Sequence, residues 1–433
     1  MPGQILAFGY DMAASCADRT GKADLAYRYT LDGTALNEGS DWIWRYRLVL
    51  EFEKDRFEPA LTTIESMAKT RPAAFNGVPI QLLAELSRKL KNGHQDALRR
   101  RLLNEVLEKG YRPEEMFSTL DHFRQDYAGI LYEAGDKVGA AAQIHRIEDP
   151  EVANEVSFDI RFRPMLGADF DARASVERDL AKARALMAQH PDLLEPILQV
   201  TRRLRQLGKP VESLAVLEAA RPRIAGTGAF TDAATQTNWW WDGLSSSYTM
   251  LGKYDEAVAS MRAGADAQER EGLNVSQMIN LSELQNQFGK PEEALITLAP
   301  FAAAKRPVSP YGEMALRGNR TCANMRAGNK DAVAADLAYV QAHDADNRYA
   351  LTYVQLCLGD LDGAAASIIR QLADPDRRTA ALVDLSDYDD PPVELPVDPV
   401  EAARKKVKAR ADVQAAIAQA GGTRRIHLQA GMF

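Results

Sequence analysis

The chain has 433 residues, 46% of them hydrophobic and 26% charged, which excludes global disorder and leaves two or three domains or one long repeat array. Its 53 basic and 61 acidic side chains give a formal charge of −8, against a protein built mainly to hold nucleic acid. Alanine supplies about one residue in six and aromatics only 7%, a balance suited to closely packed helices more than to β-sandwiches.

Residues 1–40 form an N-terminal segment, expected to be partly helical. Its one apolar run, Ile5 to Tyr10, has no basic leader and is stopped by Asp11, so it does not read as a secretory signal. No stretch of 18 apolar residues follows anywhere, so no membrane-spanning helix is expected. Cys16, Cys322 and Cys357 are odd in number and lack metal-ligand spacing. They read as buried free thiols, which suits a cytoplasmic location; the periplasm is the alternative if a leader is missing from this chain.

Residues 41–147 read as divergent helical repeats. Trp44, Ala60 and Ile64 keep a repeat frame that Pro72 closes, with Asp55 standing where later turns carry glycine. Arg88, Lys89, Lys91, Arg99, Arg100 and Arg101 form a basic cluster without an aromatic stacking platform, so it reads as a solvated helix face. Residues 148–190 break the pattern with Asp149-Pro150 and Phe162-Arg163-Pro164, then resume in a helix from about Asp171 to Met187. They are expected to continue one superhelix instead of forming a hinge.

From 191 to 375 a phrase recurs: a helix, Gly, a polar or charged pair, then an alanine-rich amphipathic helix. Its turns lie at Gly208, Gly252, Gly289, Gly328 and Gly359, with an upstream copy at Gly135. Glycine there takes a left-handed C-cap cheaply, and Pro210 and Pro291 occupy the first turn of the next helix, where a missing N–H costs nothing. Five residues past the turn stand Ser213, Ala257, Ala294 and Ala364, small enough for helices to approach closely. Four residues further, Leu217, Met261, Leu298 and Ile368 share their face and fill the seam. Residues 376–402 form an acidic, proline-rich segment; the stretch from Asp384 to Glu401 holds seven acids and no Lys or Arg and is expected to be extended. Residues 403–433 are expected to hold one basic capping helix, Arg404 to Arg410 with Val407, Val413 and Ile417 as its apolar stripe, and a tail.

These features together resemble the tetratricopeptide repeat (TPR) family, and the chain is taken as a bacterial member. The copy around Gly252 carries the resemblance most fully: Trp241, Leu244, Ser245 and Tyr248 before the turn, Ala257 and Met261 after it. The copy at Gly208 offers Ile197, Val200, Thr201, Leu204, Ser213 and Leu217; that at Gly289 offers Met278, Leu281 and Ser282 but has Gln285 in place of an aromatic. The copy at Gly328 departs furthest, with Arg317 and Val333 at apolar and small positions. The resemblance implies an all-α fold, a right-handed α-solenoid (superhelix) of stacked antiparallel helix pairs, binding an extended peptide or a protein in its concave groove without catalysis.

The catalytic inventory is thin. The six histidines lack HxxxH or HExxH spacing, and no GxSxG, Walker-type loop or dinucleotide fingerprint occurs. Gly226-Thr227-Gly228 reads as an inter-repeat loop, and the carboxylates of 384–398 lack calcium-loop spacing. No catalytic residue, metal site or cofactor is expected. In the triple Trp239-Trp240-Trp241, successive residues point about 100° apart, so they cannot share one pocket wall. Trp241 is expected in the core and Trp239 on the concave surface. The groove offsets implied by the resemblance fall on Arg202, Arg205, Trp239, Asp242, Asn286, Gln287 and Arg326, a set suited to an acidic peptide or a carboxyl terminus. A sensory or regulatory module holding a small ligand is the second reading, and an unrecognised hydrolase or transferase the third. Oligomeric state is left open.

Overall fold

A computed structural model describes residues 2–114, 118–167, 170–226, 229–267, 275–303 and 308–430. Thr227 and Gly228 of the expected inter-repeat loop lie outside them. The chain is all-α apart from one short strand pair, and it divides into two compact units, Met1–Val152 and Ala153–Phe433. Among the described residues no helix is long and apolar enough to cross a membrane.

The first unit is a run of antiparallel helices: α1 (Pro2–Arg19), α2 (Ala23–Ala35), α3 (Asp41–Glu53), α4 (Phe57–Thr70), α5 (Pro72–Asn76), α6 (Ile80–Asn92), α7 (Asp96–Glu108), α8 (Asp121–Glu133) and α9 (Lys137–Ile144). Trp44, Ala60 and Ile64 are buried at the α3–α4 seam. Asp55 takes φ 51°, the left-handed conformation its turn requires. Glu51, fully buried on α3, accepts from Arg47 Nε at 2.9 Å, Tyr27 Oη at 3.2 Å on α2 and Thr63 Oγ1 at 2.7 Å on α4, so one carboxylate ties three helices. The basic cluster is the solvated face expected from sequence only in part: Arg88 and Arg100 are exposed. Arg99 is buried and pairs with Asp126, Lys89 with Asp55 at 2.6 Å, and Arg101 with Glu58 and Glu65 at 2.6 and 2.9 Å. Acids from neighbouring helices, distant in sequence, meet these three.

The second unit opens with α10 (Pro150–Phe158), which straddles the division between units, and α11 (Ala172–Gln189). The repeats follow: α12 (Glu195–Gln206), α13 (Pro210–Ala225), α14 (Ala233–Met250), α15 (Tyr254–Asp266), α16 (Val275–Gln287), α17 (Pro291–Ala303), α18 (Pro310–Arg326), α19 (Ala334–Ala342), α20 (Ala350–Leu358) and α21 (Leu361–Ala373). One capping device recurs. Gly208, Gly252, Gly289, Gly328 and Gly359 all have φ between 69° and 82°. The residue after each glycine donates its N–H to the carbonyl five residues back, as in Lys209→Leu204 (2.9 Å), Lys253→Tyr248 (3.0 Å) and Asp360→Gln355 (2.9 Å). This is the six-to-one closure of a Schellman cap, and it turns the chain back antiparallel at the same angle each time. Ser213, Ala257, Ala294 and Ala364 are fully buried at the close approaches, with Leu217, Met261, Leu298 and Ile368 buried one turn on. The divergent copy at Gly328 resumes helix only at Ala334, after a single 3₁₀ turn over Lys330–Ala332.

The C-terminal region departs from the expected single cap, while residues 385–398 are non-helical. α22 (Arg378–Asp384) and strand β1 (Asp387–Asp389) precede an irregular stretch, and the basic helix is broken into α23 (Pro399–Lys408) and α24 (Ala411–Ala420), followed by β2 (Arg425–Gln429). β2 pairs in parallel with β1. Val407, Val413, Ile417, Ile426 and Leu428 from these elements share one buried cluster with Val176 and Leu180 of α11, Val200 and Leu204 of α12, and Leu356 and Ile368 of α20 and α21. The tail therefore packs on both the first and the last helices of the unit. α23 and α24 pack on α20 and α21, and β2 carries the contact to α11 and α12.

The cysteine reading is corrected as well. Cys322 on α18 and Cys357 on α20 form a disulfide, because the α18–α20 packing brings their Cα atoms to 5.4 Å. Cys16 is unbridged and exposed, not buried. Two stability predictions follow. Leu428→Ala, which removes a side chain 1% exposed in the shared cluster, should lower unfolding stability by about 2–5 kcal/mol in urea denaturation. Reducing the bridge, whose cysteines are 35 residues apart, should lower it by about 3–4 kcal/mol by the chain-entropy estimate, with no such response in a Cys322→Ala/Cys357→Ala double variant.

Candidate functional site

Four of the seven residues named from sequence meet on one surface of the second unit. Arg202 and Arg205 lie three apart on α12, and Trp239 and Asp242 three apart on α14, so each pair shares a helix face. These faces line a cavity of about 510 Å³ with Glu195 and Gln199 at its α12 side. The Asp232 carboxylate accepts from the Leu194 and Glu195 N–H groups at 2.7 and 2.9 Å, fixing the start of α12 beside that of α14.

Arg205 is the centre of this site. It is only 8% exposed, its Nη1 reaches Gly243 O and Ser213 Oγ at a long 3.4 Å each, and its buried Nε is without a hydrogen-bond partner among the described residues. Gly243 packs closely here: a Cβ there would lie in van der Waals contact with Arg205 Nη1 and Leu217. Burial lowers the Arg205 guanidinium to about 10, Asp242 opposing the shift and Arg202 adding to it. Burial likewise raises Asp242, against a 3.1 Å hydrogen bond from Asn280 Nδ2 and the Arg205 charge. A desolvated guanidinium with unused donor capacity stands here beside a second arginine, an arrangement in which a charged acceptor would gain a strong hydrogen bond. Trp239, 43% exposed, adds an apolar wall to the same cavity.

The other three named residues are not brought to this surface. Asn286 is fully buried and donates to Asn319 O at 2.9 Å. Arg326 bonds Asn286 O and pairs with Asp398 at 3.1 Å. Gln287 is exposed but lines neither cavity described here. The reason is packing: α16 and α18 close tightly through Asn286 and Asn319, and the acidic segment brings Asp398 back onto Arg326 across 72 residues of sequence. The tryptophan expectation is also corrected. Trp240, not Trp241, is the fully buried one, donating Nε1–H to Leu217 O at 3.0 Å between α13 and α14. Trp241 is half-buried, edge-on to Trp240, with its Cβ against Gly264.

A second cavity, of about 310 Å³, was not anticipated from sequence. Glu283 of α16, Tyr311 of α18, Arg348 and Tyr349 before α20, Tyr353 of α20, Asp384 of α22 and Arg404 of α23 contribute to its wall. Arg348 stacks on the Tyr349 ring at 4.7 Å, and Gln371 Nε2 donates to Arg348 O and Thr352 Oγ1 at 3.1 and 3.0 Å, holding that corner in place. The Cys322–Cys357 bridge joins α18 to α20, the two helices that supply the tyrosine walls. Its residues are separate in sequence and two of them follow a divergent repeat, so only the tyrosine spacing, Tyr349 and Tyr353 at i and i+4, hinted at a shared face.

No family model and no curated protein sequence matches the chain. Among solved structures it is similar to the APC/C hetero-tetramer Cut9–Hcn1, at 12% identity over 94% of this chain and 88% of that one, with a TM-score of 0.34. It is also similar to Naa15/Naa10 bound to HypK-THB, at 14% identity over 94% of this chain and 63% of that one, with a TM-score of 0.27. Likeness at that level carries neither the fold nor a function, and both rest on the chain's own geometry.

Asp384 provides a pH test of the second cavity. Burial raises its carboxyl from 3.8 to about 6, with Arg404 and Arg348 opposing and Glu155 and Glu401 adding. An acid held higher in the fold than in the unfolded chain disfavours folding wherever it is ionised, fully above pH 6 and not at all below its unfolded value. Asp384→Asn should therefore raise stability by about 1–3 kcal/mol at pH 8, with the gain shrinking between pH 6 and 4, measured by urea denaturation across that range.

Proposed function

We propose that this chain is a TPR-like scaffold, without catalysis of its own, that captures a peptide or protein partner through a carboxylate seated between α12 and α14. The observation that carries this reading is Arg205, a buried guanidinium with an unpartnered Nε in a cavity that also holds Arg202 and exposed Trp239. Water-excluded charge of that kind gains most from a charged, bidentate acceptor, which a chain terminus or an acidic side chain supplies. Trp239 would lie along the residue preceding the carboxylate, and Asp242 limits the site to one negative group. The Cys322–Cys357 bridge favours an oxidising compartment over the cytoplasm.

Because Arg205 is buried, its replacement by alanine would disturb the fold, so the informative variants are Arg202→Ala, Trp239→Ala and Arg205→Met. Arg205→Met takes away a charge that supports the desolvated Asp242 carboxylate, so its melting temperature is expected to fall, whereas Arg202→Ala, at a half-buried position, is expected to leave it unchanged. The full chain should retain peptides with a free C-terminus at least tenfold more strongly than their amidated counterparts in an immobilised random-peptide screen. Arg202→Ala and Arg205→Met should abolish that preference, and Trp239→Ala should weaken both classes about tenfold. Equal retention of acids and amides, or a preference untouched by either arginine variant, would sink the reading.

A further inference from the structure

We propose that the cavity between α16, α18, α20 and α22 binds a small organic ammonium compound, seated against the Tyr311 and Tyr353 rings with the Glu283 carboxylate as its counter-charge. The site shares no lining residue with the α12–α14 groove and stands independently of the function assigned there.

Three observations converge on that chemistry. First, the cavity is large and aromatic. At about 310 Å³ it far exceeds the roughly 30 Å³ that one water takes, and three tyrosines contribute to its wall. Tyr311 is 57% exposed and Tyr349 38%, aromatic surface a protein rarely leaves around a pocket unless something covers it. Second, its two carboxylates lack salt-bridge partners. Among the described residues neither Glu283 nor Asp384 is in an ion pair, whereas Arg404 is held by Glu401 at 2.8 Å and Arg348 lies stacked on Tyr349. Third, Glu283 keeps solvent access yet its carboxyl is raised by the protein crowded around it and by Asp398, so a cation arriving beside it would relieve an existing cost. An ammonium group answers all three: it pairs with a carboxylate, and its polarised C–H or N–H groups lie on a ring face. A compact metal ion would leave the tyrosine walls without a partner, and an anion at the α16 end would meet Glu283.

The two ends of the cavity differ, and this separates two sources of the same chemistry. Glu283 stands on α16, whereas Asp384 at the α22 end is offset by Arg348 and Arg404. A plain amine would use only the Glu283 end; an aminocarboxylate would also set its carboxylate against the arginines.

The test is calorimetric titration of the full chain with three probes of one carbon skeleton: butylammonium, 4-aminobutyrate and butyrate. Butylammonium should bind and butyrate should not. Glu283→Gln should weaken butylammonium at least tenfold, and Tyr311→Leu, a change on an exposed ring that leaves the core intact, about threefold to tenfold. Tighter binding of 4-aminobutyrate than of butylammonium supports the proposal and assigns an aminocarboxylate; equal binding supports it and assigns a plain amine. The proposal is overturned if neither amine binds at 10 mM, if butyrate binds as well as butylammonium, or if both variants, with melting temperatures unchanged, bind like the parent chain.

Discussion

The second unit depends on one apolar cluster that joins residues at opposite ends of its sequence. Helix pairs stacked by local contacts are a one-dimensional arrangement, in which each pair is stabilised only by its neighbours and the terminal pairs fray first. Here Val176, Leu180, Val200 and Leu204 from the opening helices meet Ile417, Ile426 and Leu428 from the tail. Each such side chain contributes about 1.5–3 kcal/mol when taken from water. Both ends of the array are thereby fixed at once, and the faces between them are held in register. The parallel pairing of β1 with β2, and the Lys408–Asp387 pair at 2.6 Å, fasten the same closure from its polar side.

Closure also decides what the inner faces can do. The stretch between β1 and α23 returns along the repeats, placing Val393 and Leu395 against the Gly252 turn and Asp398 on Arg326. Asp398 at the same time caps α23 by accepting from Val400 N at 3.0 Å. Arg326 is thus occupied from within the chain, while Arg205 keeps unmet donor capacity in an open cavity. Arg326 is a structural ion pair, whereas Arg205 is buried without full hydrogen bonding, a state that calls for a further partner.

Legibility of the site followed the range of the interactions that form it. Arg202 with Arg205 and Trp239 with Asp242 are i,i+3 pairs on neighbouring helices, so the groove offsets implied by the repeat resemblance placed them together. Asn286 and Arg326 obeyed the same phase, yet their faces are covered by Asn319 and by Asp398. Phase gives the direction of a side chain along its helix, not what comes to rest on it. Trp240 and Trp241 differ by one position, and the depth of the neighbouring helix decided which of them is enclosed. The tyrosine cavity depends on six helices at once and left almost no local trace.

The sequence by itself determined the helices, the glycine turns that reverse them, and the small residues at each close approach. These are properties of short stretches: a left-handed φ, a missing Cβ and an apolar stripe of period 3.6 each act within a few residues. Only the tertiary structure decided that the tail binds both ends of its unit, that Lys89, Arg99 and Arg101 meet acids from other helices, and that Cys322 reaches Cys357. It also decided that Arg205 is desolvated while Arg326 is paired. Those outcomes turn on which distant groups share a low-dielectric space, and the energy of a charge or a thiol depends on that surrounding more than on its neighbours in the chain.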